Sequence, residues 1–470
     1  MFRMTVAVCL VAALTGCAVQ KYHPSPISPA ANAASLQSRT LQDEGLHSYF
    51  EKQLHLTPGQ WPLKQWSLPE LTLAAFYYSP ALEIARARVA EADAAVITAG
   101  VGPNPVLSGS VGGSTSAASP WVGSWGFPLP IETAGKRGFR IKRAQNFADA
   151  ARWQLASTAW AVRSQVRNAL LQYVSASQRL QILENEERVR AENVTLLEQR
   201  LAVGMIPRPE VDLARIQYTQ VVIAREQAKE QVAASKPALA GAIGVPVAAL
   251  DQVTLAWTTF ERPPSAETLP QAAIQEDAVL NRLDIHRALA DYAATQADLQ
   301  LEIARQYPDF NLGPAYNYED GSHDFTLGFS VVLPILNQNQ GPIAQAQARG
   351  KQAAAQFLAT QAAGIASSEQ ALARYRAALN EVDQARRLRQ QSLAQERTVQ
   401  RALAAGQSDR VALNGAQLQV TVAAAAEMDA LYRAQQAMGE LEDAVQRPIE
   451  PGDLPALSPQ TPLLQPMARK

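Results

Sequence analysis

Apolar residues along this chain follow two spacings, which alternate in the same order in each half. Long stretches place them three, four or seven residues apart, which predicts amphipathic helices. Shorter stretches alternate apolar with small or polar residues, which predicts strands. In the second half the alternating positions lie on either side of a turn at 320–322: Phe310, Leu312, Tyr316, Tyr318, Phe325, Leu327, Phe329, Val331 and Leu333. Each half is therefore predicted to contribute one β-hairpin.

Each predicted hairpin is followed by a helix of about sixty residues, which at 1.5 Å per residue is a rod of about 90 Å. Seven-residue spacings predict coiled-coil seams along both rods. In the second rod the predicted seam is Leu358, Ile365, Leu372 and Leu379, with Tyr375 and Val382 on a neighbouring line. In the first it is Leu155, Val162, Val166, Leu170, Tyr173, Leu180 and Leu183.

The second half repeats the first at an offset of roughly two hundred residues, which indicates a duplication of whole structural halves. Short segments recur in the same order: Leu82–Ala87 as Leu283–Ala288, Phe127–Ile131 as Val331–Ile335, and Leu201–Gly204 as Leu403–Gly406.

These patterns divide the chain into six parts. We predict a signal peptide at 1–16, a tether and equatorial segment at 17–66, a first repeat at 67–243, an equatorial insert at 244–270, a second repeat at 271–446 and a proline-rich tail at 447–470. Within the repeats we predict hairpins at about 104–130 and 309–334, long helices at about 144–203 and 343–405, and return helices at about 210–243 and 409–446.

The first residues have the charge and length pattern of a secretory signal, with Arg3 followed by the apolar run Val6–Leu14. The ending Leu14–Cys17 resembles a bacterial lipobox, which implies that Cys17 becomes an acylated first residue in the outer membrane. The alternative is an ordinary signal in which Cys17 is incidental. Cys9 and Cys17 are the two cysteines of the chain, so the predicted mature protein has no thiol for a disulfide or a thiolate metal site.

Charge excludes one class of partner. The 42 basic and 43 acidic side chains give a net charge of -1, so nothing draws the whole chain to nucleic acid. No stretch beyond the signal is as long as the roughly 18 apolar residues of a membrane-spanning helix, so any crossing is predicted to use strands.

Four strands cannot close a barrel, since the smallest membrane barrels have about eight strands and an open edge leaves backbone groups unsatisfied in lipid. A membrane role therefore requires an oligomer, and closure alone does not choose among two, three or four copies. The alternative is a hairpin packed on its own helices in a periplasmic coiled-coil scaffold.

The chain resembles the TolC-type outer-membrane efflux channels over about 69–445. The features that carry the resemblance are the lipobox, the duplicated halves, the hairpins, the rods and the runs Leu201–Gly204 and Leu403–Gly406. The resemblance implies a mainly α fold with a small β part. It implies a homotrimer with a twelve-stranded outer-membrane barrel continued by a periplasmic α-helical barrel. The implied function is a passive exit duct that docks a periplasmic adaptor and an inner-membrane RND-type pump. The segment Pro130–Arg137 looks most like the heavy-metal branch, with drug or small-organic export next. The alternative remains a lipid-tethered scaffold or adaptor without a barrel.

The resemblance also directs attention to the tips of the rods, which must spread apart to open a pore. The residues expected to gate the tip or dock an adaptor are Gly204, Arg208, Glu210, Asp212, Gly406, Asp409 and Arg410. The alternative is that the charged ones cap helices and face water, where exposed ion pairs contribute only about 0–1 kcal/mol. In the second repeat Ala412 and Gly415 stand where some relatives have an acidic ring, which argues against a ring from that repeat, whereas in the first repeat Glu210 falls on an acidic position.

Enzymatic sites find no support in the sequence. Gly135–Lys136 fails the phosphate-loop pattern because positions 130 and 137 are Pro and Arg. The five histidines have no H-E-x-x-H spacing, and no G-x-S-x-G elbow occurs. We therefore expect no cofactor, no resident metal and no catalysis. Five basic residues after the first hairpin are expected either to contact anionic lipid or to form a solvated helix start: Lys136, Arg137, Arg140, Lys142 and Arg143.

Overall fold

The computed structural model describes residues 20–54, 61–115, 120–257, 259–449 and 454–464. Cys17 and the predicted signal peptide lie outside these residues. The chain forms two compact units, 1–39 and 40–470. In the first unit, helix α1 (Pro29–Gln37) begins after Ser28, whose hydroxyl accepts from the N–H of Ala31 at 3.4 Å.

The second unit contains both repeats and the insert between them. The first repeat follows α2 (Glu44–Leu54) and β1 (Gln65–Trp66), and comprises α3 (Leu68–Tyr78), α4 (Pro80–Gly100), β2 (Ser108–Gly113), β3 (Trp121–Gly126), β4 (Leu129–Ile131), the long helix α5 (Lys136–Ala202) and the return helix α6 (Arg208–Ile243). The insert contains β5 (Thr254–Leu255), which pairs in parallel with β1. The second repeat comprises α7 (Gln271–Leu280), α8 (Leu283–Ala304), β6 (Phe310–Glu319), β7 (Ser322–Val331), the long helix α9 (Gln340–Ala404) and the return helix α10 (Arg410–Val445).

The first long helix begins at Lys136, eight residues before the predicted start. Gly135 at its N-cap has a φ of 71° and Asn339, at the start of α9, has a φ of 63°. These left-handed residues turn each hairpin directly into its helix. The first turn of α5 is fixed by tertiary contacts of Lys136, which no local pattern reveals.

The predicted seam of the second rod is confirmed in part. Leu372 is buried, as are Tyr375 and Val382 on the predicted neighbouring line, whereas Leu358 is 61% exposed. The other buried positions along this part of the helix are small residues: Gly364, Ser368, Ala371 and Ala378. Small residues let other elements approach closely here, because a Cβ on Gly364 would lie 3.1 Å from Arg282. In the first rod the predicted positions Leu155, Val166 and Leu170 are buried as expected.

The helices pack side by side in a layer. Toward the tips the order is α6, α5, α10, α9, and toward the hairpins it is α4, α5, α8, α9. First-repeat helices α4 and α6 thus form one edge of the layer, and α9 forms the other. In the described part of the chain, no helix has both the length and the hydrophobicity needed to cross a membrane.

The two hairpins form one antiparallel sheet in the order β2, β3, β6, β7, and β4 continues the line of β3 along β6. The register confirms the predicted alternation, because Tyr316 lies opposite Phe325, and Trp125 opposite Tyr316. Aromatic residues thus share one face. Small and polar residues share the other, where the hydroxyls of Ser110 and Ser124 are 2.8 Å apart.

Gly313 permits a close approach within this sheet. Pro128 interrupts the strand formed by β3 and β4, and a Cβ on Gly313 would lie 2.6 Å from both Phe127 O and Pro128 Cα. Those atoms belong to the backbone and cannot swing aside. Gly328, paired with Gly313, has room for a methyl group because the nearest atom would be 3.9 Å away.

We therefore expect Gly313→Ala to lower the stability of the sheet by about 1–3 kcal/mol through overpacking. Gly328→Ala is the matched control and should be close to neutral. Thermal denaturation of the detergent-extracted variants measures both, and equal melting temperatures for the two would contradict the contact at Pro128.

Candidate functional site

The two tips have the same backbone structure, as their repeated sequence predicts. Gly204 and Gly406 have φ values of 71° and 70°. Gly204 and Met205 donate N–H bonds back into the last turn of α5 at 2.9 Å each, and Gly406 and Gln407 donate the matching bonds into α9 at 3.0 and 2.8 Å. This is the Schellman helix ending, for which a left-handed glycine is favoured.

One ion pair joins the two tips. Arg200 Nη2 lies 2.7 Å from Asp409 Oδ2. The Asp409 carboxylate also caps α10 by accepting from the N–H of Ala412 at 2.8 Å. The pKa of Asp409 lies below its ordinary value. The larger cause is the hydrogen bond from the Ala412 N–H, and the next is the hydrogen bond from the Arg200 guanidinium. Arg200 was missed by the sequence analysis, although a basic residue in the last helical turn before Gly204 is the expected sign of such a role.

The other predicted tip residues lie in the same region without joining the two repeats. Arg208 Nε lies 3.8 Å from Asp212 Oδ2, one turn further along α6. Glu210 and Arg410 are exposed, and neither forms an ion pair with any residue that the structure describes. These side chains are therefore available to groups outside a single chain.

Four of the five basic residues after the first hairpin form ion pairs within the chain, which neither expectation for them included. Lys136 is buried, with Nζ 2.7 Å from Asp309 Oδ1. Arg137 and Arg140 both bind Glu132 and lower its pKa, the Arg140 hydrogen bond being the larger cause.

Arg143 Nη1 lies 2.7 Å from Asp298 Oδ1 of α8. Because Arg143 belongs to α5, this ion pair joins the first long helix to the second repeat. Four of the five basic residues are thus paired, and Lys142 alone of the five is exposed without an ion pair among the described residues.

A buried polar cluster holds the repeats together near the middle of the rods. Arg163 and Arg167 of α5 and Glu442 of α10 are all at most 1% exposed. The Oε2 atom of Glu442 lies 2.9 Å from Arg163 Nη2 and 3.3 Å from Arg167 Nε. Arg167 Nη1 also donates to the carbonyl of Gln435 at 2.8 Å. Both guanidiniums are thus paired across the boundary between repeats.

The same cluster reaches the insert and the tail. The amide of Gln435 donates to the carbonyl of Phe260 at 3.0 Å, and Glu442 Oε1 accepts from the N–H of Ile449 at 2.8 Å. Arg167 lies over the ring of Trp257 at 5.2 Å. Four separate parts of the sequence therefore meet at two arginines.

Asp443 extends this cluster toward the surface. It accepts from Trp160 Nε1 at 2.8 Å and from the hydroxyl of Ser164, while burial raises its pKa. The sequence analysis missed these residues, yet Arg163 and Arg167 stand one turn apart beside the predicted seam positions Val162 and Val166. That placement was the available signal.

Across the described ranges, no three His, Cys, Asp or Glu side chains are grouped as metal ligands would be.

Comparison with known proteins agrees with this architecture. Residues 71–245 match the family model of outer membrane efflux proteins. The cobalt-zinc-cadmium resistance protein CzcC of Cupriavidus metallidurans is 25% identical over 266 residues, which cover 56% of this chain and 62% of that protein. The pyoverdine export outer membrane protein OpmQ of Pseudomonas aeruginosa is 25% identical over 336 residues, covering 60% of this chain and 68% of that one.

The solved structure of the outer membrane protein VceC of Vibrio cholerae has the same fold, with a TM-score of 0.64 at 19% identity, covering 80% of this chain and 95% of that one. The match to CzcC spans less than two thirds of that relative's length. The family model over residues 71–245, the relatives and the fold agree with one another and confirm the resemblance drawn from the sequence. Its neighbours are bacterial outer-membrane channels, in agreement with the expected localisation.

Removing the Glu442 carboxylate should be severely destabilising, because Arg163 and Arg167 would remain buried without it. We expect Glu442→Ala to lower the free energy of unfolding by about 3–5 kcal/mol. The control is Glu440→Ala, two residues away, whose exposed pair with Arg374 at 3.0 Å should contribute at most about 1 kcal/mol. Urea unfolding followed by circular dichroism compares them, and similar losses would refute the importance of the buried pairing.

At the tip, Asp409→Ala removes both the cap of α10 and the contact with Arg200, and should cost about 0.5–2 kcal/mol. Asp409→Asn keeps an acceptor for the cap and should cost less. Because the folded pKa of Asp409 is lowered, its contribution is complete above its unfolded pKa and is lost as the pH falls through the folded value. Amide exchange in the first turn of α10 reports the effect. Unchanged exchange in Asp409→Ala would show that the cap contributes nothing.

Proposed function

We propose that this protein is the outer-membrane channel of a tripartite efflux system, a passive exit duct for small solutes. The observation that carries the proposal is the sheet, which has an apolar, aromatic face and two edge strands, β2 and β7, that pair with no further strand among the described residues. The exposed side chains of Phe325, Leu327 and Phe329 suit a lipid environment. In lipid the edge strands need partners, and further copies of the chain would provide them.

The arrangement of edges favours a closed ring. One edge is formed by first-repeat elements and the other by β7 and α9, so the contact between copies joins unlike surfaces. Such head-to-tail contacts produce rings when the rotation closes. Three copies would supply twelve strands, the number that the family resemblance implies, and we propose a homotrimer. Acylated Cys17 is the proposed anchor in outer-membrane lipid.

The tips would face the periplasm, where we propose that they dock an adaptor and, through it, an inner-membrane RND-type pump. Gly204 and Gly406 shape the two turns, and Arg208, Asp212 and Asp409 have partners within the chain. Glu210 and Arg410 are exposed beside those turns, which makes them the residues we assign first to adaptor contact or gating.

For the cargo we propose divalent metal cations. Two observations support this choice over an organic solute. One relative is a cobalt-zinc-cadmium resistance protein, although another exports pyoverdine. The hairpin segments 106–131 and 310–331 contain Glu319, Asp320 and Asp324 but no lysine or arginine. Glu319 and Asp324 lie on the polar face of the sheet, where their field would attract cations.

A deletion strain tests the proposal. Loss of the protein should raise cellular cobalt, zinc and cadmium under metal stress, and the wild-type gene should reverse this. The protein should sediment with outer membranes and have the mass of three chains in detergent. The variant Glu210→Lys with Arg410→Glu should assemble as the wild type does but restore less export. A soluble monomer would refute the duct and favour a tethered scaffold, whereas a trimer without any metal effect would refute only the cargo.

A further inference from the structure

The first repeat leaves a cavity open where the second repeat is bridged by ion pairs. The cavity has a volume of about 490 Å³ and lies between α5, α6 and α10, on the tip side of the cluster of Arg163, Arg167 and Glu442. We call it the first-repeat cavity. Its lining combines neutral polar, small and apolar side chains with one ion pair, and includes Gln172, Arg179, Gln231, Ala238, Met428 and Tyr432.

Two ion pairs bridge the corresponding place in the second repeat. Arg374 Nη1 of α9 lies 3.0 Å from Glu440 Oε2 of α10, and Arg433 Nε of α10 lies 2.7 Å from Glu381 Oε2 of α9. Equivalent residues of the two repeats lie equally many residues from their tip glycines. The first-repeat equivalents of the four paired residues all line the first-repeat cavity: Gln172, Ala238, Gln231 and Arg179. Neither equivalent pair holds opposite charges, so a space stays open between α5 and α6.

The first-repeat cavity opens on the side of the helical layer that faces away from the insert. On α6, the ammonium of Lys236 binds Asp251 of the insert, and a rotation of about 100° per residue places Lys236 about 100–160° from the α6 residues that line the cavity. On α10, Gln435 binds the insert, while Asp429 of the cavity lies about 120° away. An insert inside the bore of a duct would obstruct it. In the proposed ring the insert therefore lies outside, and the cavity faces the bore.

We propose that the first-repeat cavity is a binding site for neutral organic solutes of one or two rings in the wall of the bore. Its volume falls within the range of about 300–1,000 Å³ that small-molecule sites have. Tyr432 supplies a ring for stacking and Met428 an adaptable apolar contact. The amides of Gln172 and Gln231 can each donate and accept hydrogen bonds. The inference rests on the proposed duct and adds a class of solute to its cargo.

The charges of the lining select against ions. Asp429 is the one carboxylate among the described residues that line the first-repeat cavity, and its Oδ1 atom lies 2.8 Å from Arg179 Nη1. The pair carries no net charge, whereas zinc and similar cations are held by several Cys, His or carboxylate ligands. The proposed metal cargo would therefore pass this cavity without binding, while a neutral solute leaves the ion pair intact.

The second repeat supplies a way to fill the cavity with a packing that the chain already uses. Gln172→Arg with Ala238→Glu introduces the equivalent of the pair between Arg374 and Glu440. The control is Gln165→Arg with Ala233→Glu, which adds the same residues to exposed positions of α5 and α6 outside the lining. The probes are chloramphenicol, with one ring, and 7-amino-4-methylcoumarin, with a fused pair of rings, both neutral in neutral buffer.

Equilibrium dialysis of the detergent-extracted protein against each probe, corrected for empty micelles, measures binding. Wild type and control should bind at least one probe saturably, with one molecule for each chain. The filled variant should bind that probe about tenfold more weakly or less, because the arginine occupies the space. No saturable binding to the wild type, or equal binding to the filled variant, would overturn the site.

Thiol protection locates the bound probe. In a mature chain predicted to have no free thiol, Ala238→Cys should react with N-ethylmaleimide more slowly when the probe is present, while the exposed Ala233→Cys should react at an unchanged rate. Equal rates for Ala238→Cys with and without the probe would refute the site. Neither readout depends on assembly or export. A monomer that protects Ala238→Cys would refute the duct and not the site, and a metal-exporting trimer that does not protect it would refute the site and not the duct.

Discussion

Two buried guanidiniums and one buried carboxylate determine how the halves of this protein are joined. Removing three charges from water costs several kcal/mol for each ion, and only close mutual pairing and further hydrogen bonds offset that cost. The helices α5 and α10 must therefore keep one alignment along their axes, because a shift by one turn would separate Arg163 and Arg167 from Glu442. The insert and the tail bind the same cluster, so the equatorial chain segments depend on that alignment too.

From this fixed junction the rest of the architecture extends in both directions along the rods. Toward the hairpins, Asp298 of α8 holds Arg143 of α5 and Arg349 of α9 at 2.7 Å each, so that the second repeat stands beside the first. The strands then meet with β3 next to β6. Toward the tips, Arg200 and Asp409 join the final turns. A duplicated chain thus has a junction between its own repeats at three levels, and its two outer edges present unlike surfaces.

The sequence predicted those features that depend on local pattern. Alternation on either side of a turn predicted the β6 and β7 hairpin, and a glycine after each rod predicted the left-handed turns at Gly204 and Gly406. It was less complete where distant partners take part. The helix α5 begins at Lys136, which pairs with Asp309, and so starts before the predicted residue. In α9 the predicted Leu372 is buried but Leu358 is exposed. The Arg163 cluster lay beside a predicted seam, but its carboxylate is 279 residues away, beyond any periodicity.

The two return helices differ in how much of the corresponding face is buried within the chain. The line of α10 that α5 covers is largely polar, and α5 of the same chain provides guanidinium partners for Gln435 and Glu442 on it. On α6 the corresponding surface must first face water. Its two exposed isoleucines, Ile216 and Ile223, are flanked by Asp212 and Glu226, so that carboxylates keep the single chain soluble while the apolar side chains remain available for association. A duplicated sequence has therefore diverged where its two copies differ in neighbour, and has kept the same turn at the tips, where the backbone requirement is the same.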